Sequence, residues 1–369
     1  MTAWRPLAGI RVVEACQRLV GPLAGSHLEK MGADIVKVEP PAGDIARGWS
    51  GGAVFDVLNT GKRCVVLDLS DAGELKAFAA LCAKADIVLA DSSWSEAAVR
   101  NAARGVTRSI VVIDEGSVPG GFGSSETLAQ AAEAVTPYIG VPGERAKRLG
   151  ADVASTSAAT AAAQAALAGL VRIEEGPLVG RVSVDRALSS LKTIHWAARS
   201  DPDRWAGYHV TAITRQPDNG YRVRDGWVTL DFPPTEKAGW LAFCEEIGLS
   251  DFSKQVGDDW FSTVGMEDAI DMARPHYEKA LAKYTVTEAI ELIRKHRGWS
   301  VPFQTVSQML QHPQSHLYGS ITAAGGQIHT RLPWRIGDVP QGVSAVGSAP
   351  AVGAHNAEVL AEISPEASA

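Results

Sequence analysis

Residues 10–39 join two strand-like runs through a helical segment, and their sequence is IRVVEACQRLVGPLAGSHLEKMGADIVKVE. This stretch indicates the type of fold. Ile10–Ala15 is short, apolar and rich in β-branched residues, and Asp34–Glu39 has the same character. The sequence between them, Pro22–Met31, predicts a helix. A strand, a helix and a second strand in this order predict parallel pairing through a crossover connection.

Further strand-like runs on the C-terminal side repeat this alternation. They are Cys64–Leu69 (CVVLDL), Asp86–Asp91 (DIVLAD) and Ser109–Asp114 (SIVVID). A helix from Ser70 to about Lys84, with Glu74 placed for a capping contact, is predicted between the first two. We therefore predict an α/β fold built on a doubly wound parallel sheet.

The second half of the chain is less regular. An alanine-rich segment, residues 153–171, predicts a long helix, because alanine is the best helix former. A strand at Arg181–Arg186 and a helix to about Arg199 follow. Another region begins at Asp225–Phe232 and is mostly helical. Its predicted elements are helices Glu236–Ile247, Met266–Tyr284 and Val286–His296, a strand Val301–Val306, and a closing helix Asn356–Ile363.

Composition excludes several classes of protein. Hydrophobic residues make up 46% and charged residues 21% of the 369 residues, as in ordinary soluble domains. The net charge of -7 gives no general attraction to nucleic acid or to a membrane surface. No apolar run is long enough for a transmembrane helix. The four cysteines form no C-x-x-C pair and are not spaced as zinc ligands, so we expect no metal site. We also expect a reducing, cytoplasmic location.

Six blocks, in order along nearly the whole chain, resemble family III CoA-transferases (the CaiB/BaiF family). They are Pro6–Trp49, Phe55–Ser70 (with N-x-x-K-R-like NTGKR), Gly180–Leu188 (GRVSVDRAL), Tyr221–Leu230, Gly298–Gln314 and Ser348–Ile363 (SAPAVGAHNAEVLAEI). One departure is the family's E-N-F-x-P-G segment, which is replaced by ADSSWS at Ala90–Ser95. That segment normally contacts the nucleotide of CoA.

The resemblance implies a two-domain protomer in an interlocked dimer. A large Rossmann-like domain would be formed by residues 1–200 together with the C-terminal return, residues 323–369. A smaller α+β domain, residues 225–322, would be inserted after a linker at 201–224.

The resemblance also implies covalent catalysis by an aspartate just before the alanine-rich helix. That carboxylate attacks an acyl-CoA, forms a mixed anhydride, and then becomes an aspartyl-CoA thioester that passes CoA to an acceptor acid. Aligning RLGADVASTSAAT on Gly150 puts Ser155 at the aspartate position. Asp152 would reach that position only with a three-residue gap. Ser155 is either a variant nucleophile or simply part of the start of the helix.

Racemase relatives use a histidine before this aspartate, together with the aspartate itself. No histidine occurs between Trp49 and Ala154, so the sequence disfavours a racemase similar to alpha-methylacyl-CoA racemase.

The resemblance also implies which residues of this chain contact CoA. They are Gln17, Arg18, Leu19, Arg47, Lys62, Arg63, Leu67 and Asp68. The cationic members among them could meet phosphates, or could be ordinary surface charges.

We therefore expect a subunit of an acyl-CoA:carboxylate CoA-transferase. It would have no tightly bound cofactor, with acyl-CoA and a carboxylic acid as substrates. Because Ser155 stands at the aspartate position, one alternative is the non-catalytic chain of a heterodimer with a homologous chain. The other is a stand-alone enzyme, homodimeric, with a variant active site.

Overall fold

The computed structural model describes residues 5–94, 96–106, 108–115, 125–135, 145, 147–172, 176–201, 204, 220–261, 267–317, 321–324, 327–333 and 348–363. Two compact units divide the chain. The first contains the described residues of 1–135, 148–192 and 313–369, and the second those of 136–147 and 193–312. The predicted linker 201–224 lies mostly outside the described residues, and the predicted domain boundaries stay predictions.

The first unit is built on a six-stranded parallel sheet in the order β3-β2-β1-β4-β5-β6. Its strands are β1 (Arg11–Ala15), β2 (Asp34–Glu39), β3 (Arg63–Val66), β4 (Ile87–Asp91), β5 (Ser109–Asp114) and β6 (Leu178–Ser183). This is the strand order of a doubly wound Rossmann-like sheet. Successive strands are added towards one edge from β1 to β3 and towards the other edge from β4 to β6, so the order reverses between β1 and β4. The predicted α/β class and parallel sheet are confirmed.

Helices connect and cover these strands. They are α1 (Val20–Lys30), α2 (Ala53–Asn59), α3 (Ala72–Ala83), α4 (Glu96–Ala102), α5 (Glu126–Ala132), α6 (Val153–Val171) and α7 (Val184–Ser190). A 3-10 segment, Ile45–Gly52, precedes α2, and the unit also contains α14 (Pro313–Leu317), α15 (Asn356–Ile363) and the hairpin β9 (Ile321–Ala324) with β10 (Gln327–Thr330). Among these described helices, none combines the length and apolar character needed to cross a bilayer.

Two apolar cores lie on opposite faces of the sheet. Because successive side chains of a strand point to opposite faces, Val12 packs in one core and its neighbour Val13 in the other. The first core is covered by α1, α6 and α7, and the second by α3, α4 and α15. This three-layer arrangement leaves the carboxyl ends of the strands as the edge from which loops lead to a ligand site.

The alanine-rich helix α6 has the bounds that its composition predicts. Its alanines at 154, 158, 159, 162, 163 and 166 are buried. Small side chains let α6 lie close to its neighbours, and Gly169 is one position of very close approach. A Cβ added there would lie 2.5 Å from Ser109 Cβ and 2.8 Å from the Arg108 carbonyl oxygen.

We predict that Gly169→Ala lowers the free energy of unfolding by about 1–3 kcal/mol, because Ser109 and the backbone carbonyl of Arg108, at the start of β5, would have to move. Gly150→Ala is the control, since its Cβ would meet no atom within 4 Å. Urea denaturation of both variants measures the difference. Equal stabilities would contradict the close packing of α6 on β5.

The C-terminal segment closes the outer edge of the sheet at β3. The Cys64 N–H donates to His355 Nδ1 at 3.1 Å, and the Val66 N–H donates to Asn356 Oδ1 at 2.8 Å. Val359 of α15 is fully buried in the core behind the sheet. Two edge-strand donors are therefore satisfied by side chains almost 300 residues later in the chain.

The second unit contains an antiparallel hairpin and a bundle of helices. Its elements are α8 (Thr193–Ser200), β7 (Gly220–Val223), β8 (Gly226–Thr229), α9 (Lys237–Glu246), α10 (Ser250–Val256), α11 (Glu267–Leu281), α12 (Val286–Lys295) and α13 (Val306–Gln311). Its core is aromatic, and the buried Trp240 indole donates to the Tyr277 hydroxyl at 2.9 Å. A smaller unit with both helices and strands matches the predicted α+β character.

Three local predictions need correction. The predicted strand Val301–Val306 is wrong: this segment makes only an isolated bridge at Pro302. A capping box between Thr305 and Gln308 then starts α13. The predicted strand Arg181–Arg186 ends too late, because α7 begins at Val184. Asp71, not Ser70, caps α3, and its carboxylate accepts the N–H groups of Gly73 and Glu74.

Candidate active site

The N-terminus of α6 is held by a carboxylate from a different helix. Glu126, the first residue of α5, accepts the Ala154 N–H on Oε1 at 2.9 Å and the Ser155 N–H on Oε2 at 2.9 Å. Its Oε1 also accepts the Gln130 side-chain N–H at 2.7 Å, and its Oε2 the Ser155 hydroxyl at 2.8 Å. Glu126 thus satisfies N–H groups that a helix start leaves without partners.

This arrangement defines the surroundings of Ser155, the residue predicted at the family's aspartate position. Ser155 is buried, and its hydroxyl donates to Glu126. Burial raises the pKa of Glu126, but hydrogen bonds from Gln130, Ala154 and Ser155 outweigh it and hold that pKa below its ordinary value. A carboxylate with a lowered pKa is a poor base, so Ser155 is not activated as a nucleophile by its hydrogen-bond partner.

Asp152, the other predicted catalytic residue, takes a different position. It precedes α6 without making a side-chain cap, and its carboxylate pairs with the Arg148 guanidinium. About half of the Asp152 side chain is exposed. The structure therefore places Asp152 at the rim of the site, in an ion pair.

A cavity of about 350 Å³ brings these residues together. Its walls carry apolar side chains, carboxyl groups and two guanidinium groups. The lining residues are Arg18, Leu19, Val20, Trp49, Val54, Glu115, Ser125, Glu126, Thr127, Arg148, Asp152, Ser155 and Val184. The cavity lies at the carboxyl edge of the sheet, because Arg18 follows β1 and Glu115 directly follows β5. This is where ligands bind in open α/β sheets.

Glu115 is a cavity residue that was not predicted from the sequence. Its side chain is 8% exposed, and its Oε1 has no hydrogen-bond partner among the described residues. The Arg18 guanidinium lies 3.7 Å from Oε2. Burial and the carboxylate of Asp91 raise the pKa of Glu115 to about 7, and Arg18 opposes this only in part. A carboxyl group directly after a buried parallel strand was the available signal.

The loop after β1 carries the predicted contacts Gln17, Arg18 and Leu19. The Gln17 N–H donates to Asp91 Oδ2 at 2.6 Å, and the Arg18 N–H donates to Asp44 Oδ1 at 3.0 Å. Arg18 has a φ of 66°, a left-handed conformation that is uncommon for a residue other than glycine. The buried carboxylates of Asp91 and Asp44 therefore fix the backbone of this loop, which forms part of the cavity wall.

Lys62, predicted to meet a phosphate, is instead placed inside the first unit. Its side chain is fully buried, and its Nζ donates to Glu14 Oε2 at 2.7 Å, to the Pro22 carbonyl and to Asn59 Oδ1. Glu14 Oε1 also accepts from the buried Lys37 Nζ at 3.1 Å. The ammonium group of Lys62 is thus engaged within the chain.

Arg47 and Arg63 are also ion-paired. Arg47 binds Glu39 through two nitrogens at 2.7 and 2.6 Å, and its guanidinium lies 3.7 Å from the Phe55 ring centroid. Arg63 binds Asp34 on one side and Glu358 with Glu362 of α15 on the other.

The remaining predicted contacts, Leu67 and Asp68, follow β3. Leu67 is buried in the core, whereas the partly exposed Asp68 accepts the Ser70 hydroxyl and N–H. Of the eight predicted CoA contacts, only Arg18 and Leu19 line the cavity. A role of the others in binding CoA stays a prediction.

Histidine and metal chemistry find no support in this cavity. None of the histidines whose side chains the structure describes lines it, and the side chain of His195, the nearest in sequence to Ser155, lies outside the described residues. Within the described ranges, no group of three or more His, Cys, Asp or Glu side chains is arranged to hold a metal ion.

Comparison with known families gives a match over most of the chain. The model of CoA-transferase family III matches residues 7–102 and 120–356. Glu115 lies in the unmatched stretch between these two segments, whereas Glu126 and Ser155 lie within the second.

Similar proteins with curated names are transferases of CoA. A succinate–glutarate CoA-transferase of Agrobacterium fabrum is 38% identical over 97 residues, which cover 23% of this chain and 24% of that protein. The chain therefore matches only about a quarter of that relative. A probable fatty acyl-CoA transferase of Mycobacterium tuberculosis is 25% identical over 347 residues, covering 84% of this chain and 85% of that protein.

Solved structures show the same fold. A CaiB/BaiF family protein from Brucella suis superimposes with a TM-score of 0.79 at 19% identity, covering 97% of this chain and 99% of that one. A Mycobacterium tuberculosis structure gives the same TM-score at 22% identity, covering 96% of this chain and 99% of that one.

Proposed function

The chain belongs to CoA-transferase family III, and we therefore propose that it transfers CoA from an acyl-CoA to a free carboxylic acid. The observation that carries the proposal is the cavity at the carboxyl edge of the sheet, which is lined by the carboxyl groups of Glu115, Glu126 and Asp152. Carboxylates suit this reaction because their acyl adducts stay reactive toward both thiolate and carboxylate. A serine ester would be a more stable intermediate and a slower donor.

The volume and the charged groups of the cavity also indicate what kind of acyl group it could hold. A volume of about 350 Å³ is at the small end of ligand sites, which favours a short acyl group. Arg18 and Arg148 on its wall could pair with a second carboxylate of the substrate. We therefore propose a short dicarboxylic acyl group, a class that includes the substrates in the name of the Agrobacterium fabrum relative.

The nucleotide end of CoA would lie outside this cavity, which is too small for the whole cofactor. Gln17 follows β1 and Asp68 follows β3, with β2 between these two strands in the sheet, and both residues remain proposed contacts. The cations Arg47, Lys62 and Arg63 are engaged by carboxylates of the chain. Binding of the phosphates would therefore require Arg47 or Arg63 to share its present partner.

A second candidate function is that of a non-catalytic chain in a heterodimer with a homologous chain. Ser155 favours it, because the residue at the family's aspartate position cannot form the anhydride. In this case the partner chain would carry the aspartate, and this chain would contribute structure.

We predict that the purified chain alone converts succinyl-CoA and glutarate into glutaryl-CoA. Liquid chromatography with mass detection measures the product, and palmitoyl-CoA is the comparison donor for a long acyl group. Calorimetric titration with CoA, run alongside, measures binding without catalysis. Transfer that appears only after co-expression with an aspartate-bearing homologue would support the heterodimer instead. Absence of both transfer and CoA binding in either preparation would reject the proposal.

A further inference from the structure

We propose that Glu115 is the nucleophilic carboxylate of this chain and takes the acyl group and then CoA in place of a residue at position 155. The inference rests on the proposed CoA-transfer function and names the residue that would perform it. It is reached by comparing the carboxyl groups that line the cavity in the described part of the chain, which are those of Glu115, Glu126 and Asp152.

Glu126 is fully occupied by its role at the helix start. A carboxylate offers about four lone-pair positions, and Glu126 accepts four hydrogen bonds, from Gln130, Ala154 and twice from Ser155. Attack on a thioester would require it to give up one of these bonds and loosen the first turn of α6. Its low pKa also makes it a weak nucleophile.

Asp152 is engaged differently but is no better placed. Its carboxylate is paired with Arg148, and about half of the side chain is in contact with solvent. A solvated, ion-paired carboxylate would have to lose both water and its partner before attack. Its acyl adduct would also be exposed to hydrolysis, which competes with transfer.

Glu115 has the opposite properties. It is more than nine-tenths buried, it lines the cavity, and its Oε1 has no hydrogen-bond partner among the described residues. A free oxygen on a buried carboxylate can attack without breaking an existing bond. Arg18, 3.7 Å from the other oxygen, supplies a positive charge that keeps the ionised form available.

The proposed steps balance in atoms and electrons. An oxygen of Glu115 forms a bond to the acyl carbon of the donor, the carbon–sulfur bond breaks, and CoA leaves as the thiolate. The thiolate then attacks the glutamyl carbonyl, which releases the donor acid and leaves a Glu115–CoA thioester. The acceptor carboxylate displaces CoA to form a second anhydride, and the thiolate attacks the acceptor's carbonyl. This last step regenerates the Glu115 carboxylate and releases the new acyl-CoA.

Two further observations agree with this assignment. Burial and Asp91 raise the pKa of Glu115 to about 7, and Arg18, the Val20 N–H and Asp44 are the other groups that act on it. Transfer should therefore increase with pH through about 7, as the carboxylate forms. Glu115 also lies in residues 103–119, which the family model leaves unmatched, so the family pattern assigns no residue to its position.

The test traps the enzyme thioester. The wild-type chain is incubated with succinyl-CoA and then with hydroxylamine, which converts a glutamyl-CoA thioester into a hydroxamate at the residue that carried it. Tandem mass spectrometry locates the hydroxamate, and a sample without succinyl-CoA is the blank. Glutaryl-CoA formation is measured in parallel for the wild type, Glu115→Gln, Glu115→Asp and the control Asp258→Asn. Asp258 is a fully exposed carboxylate of the second unit.

We expect the hydroxamate on Glu115 and about a thousandfold loss of turnover in Glu115→Gln. Glu115→Asp should retain part of the activity, and Asp258→Asn all of it. A hydroxamate on Glu126 or Asp152, or Glu115→Gln turnover within about tenfold of wild type, would overturn the assignment while leaving the CoA-transferase function intact. A folded wild-type chain that transfers no CoA from any donor would reject the function and the assignment together.

Discussion

Glu14→Gln is expected to lower the free energy of unfolding by about 3–5 kcal/mol. Glu14 lies between the ammonium groups of Lys37 and Lys62, at 3.1 and 2.7 Å, and all three side chains are fully inaccessible to solvent. Removing its charge leaves two buried cations with one close carboxylate, Asp44, which lies 2.9 Å from Lys37. A buried charge without a partner is among the costliest defects in a protein core.

The two lysines should respond differently to this change. Burial lowers the pKa of Lys37, but Glu14 and Asp44 together raise it above its ordinary value. Burial lowers the pKa of Lys62, and Glu14 opposes this only in part. In the Glu14→Gln variant we therefore expect Lys62 to release its proton, while Lys37 stays charged beside Asp44.

A double variant provides the control. Glu14→Gln combined with Lys62→Met removes one negative and one positive charge, so it should be more stable than Glu14→Gln alone. Urea denaturation of the wild type, both single variants and the double variant yields the coupling energy between the two residues. If the two single effects simply add, Glu14 and Lys62 do not form the ion pair described above.

Glu115→Gln is expected to make the protein more stable at pH 8, by about 3 kcal/mol relative to the wild type, even though it should abolish transfer. Burial of Glu115 and the nearby carboxylate of Asp91 raise its pKa from 4.5 to about 7. A difference of this size between the folded and unfolded pKa corresponds to about 3 kcal/mol. A glutamine at this position carries no charge and avoids that penalty.

The direction of the pH effect follows from proton binding. Between pH 4.5 and 7 the folded state keeps the Glu115 proton, whereas the unfolded state releases it. The wild type should therefore lose stability relative to Glu115→Gln as pH rises through this window, with no further change above about pH 8. Urea denaturation at several pH values measures the difference. A constant difference between the two proteins from pH 4.5 to 8 would show that Glu115 ionises normally.

The sequence predicted the first unit well because its elements carry strong local signals. Local composition alone predicts these elements, without knowledge of distant contacts. They are β1, β2, β4 and β5, with their apolar β-branched runs, and the alanine-rich α6. The segment Val301–Val306 carried a similar signal but became a bridge and a helix start. A capping box between Thr305 and Gln308 outweighed its β-branched residues.

The site was predicted less completely because its decisive properties depend on the fold. The spacing from Gly150 pointed to Ser155 and Asp152, and both residues line the cavity, while their catalytic roles stay predictions. The burial of Lys62 could not be predicted, since its partner Glu14 lies 48 residues earlier in the chain. Glu115 directly follows β5 and Glu126 is the first residue of α5, and only the folded sheet brings them to the same cavity as Ser155.

The closure of β3 by the C-terminal segment has a consequence for how the chain is made. Its contacts join residues 290 and 291 positions apart in sequence, so they cannot form until that many further residues have been synthesised. At ordinary translation speeds the outer strand waits about 15–60 s for its partner. During that time an unprotected edge can pair with another nascent chain. We therefore expect the yield of native protein to depend on chaperones that shield this strand until His355 and Asn356 have been synthesised.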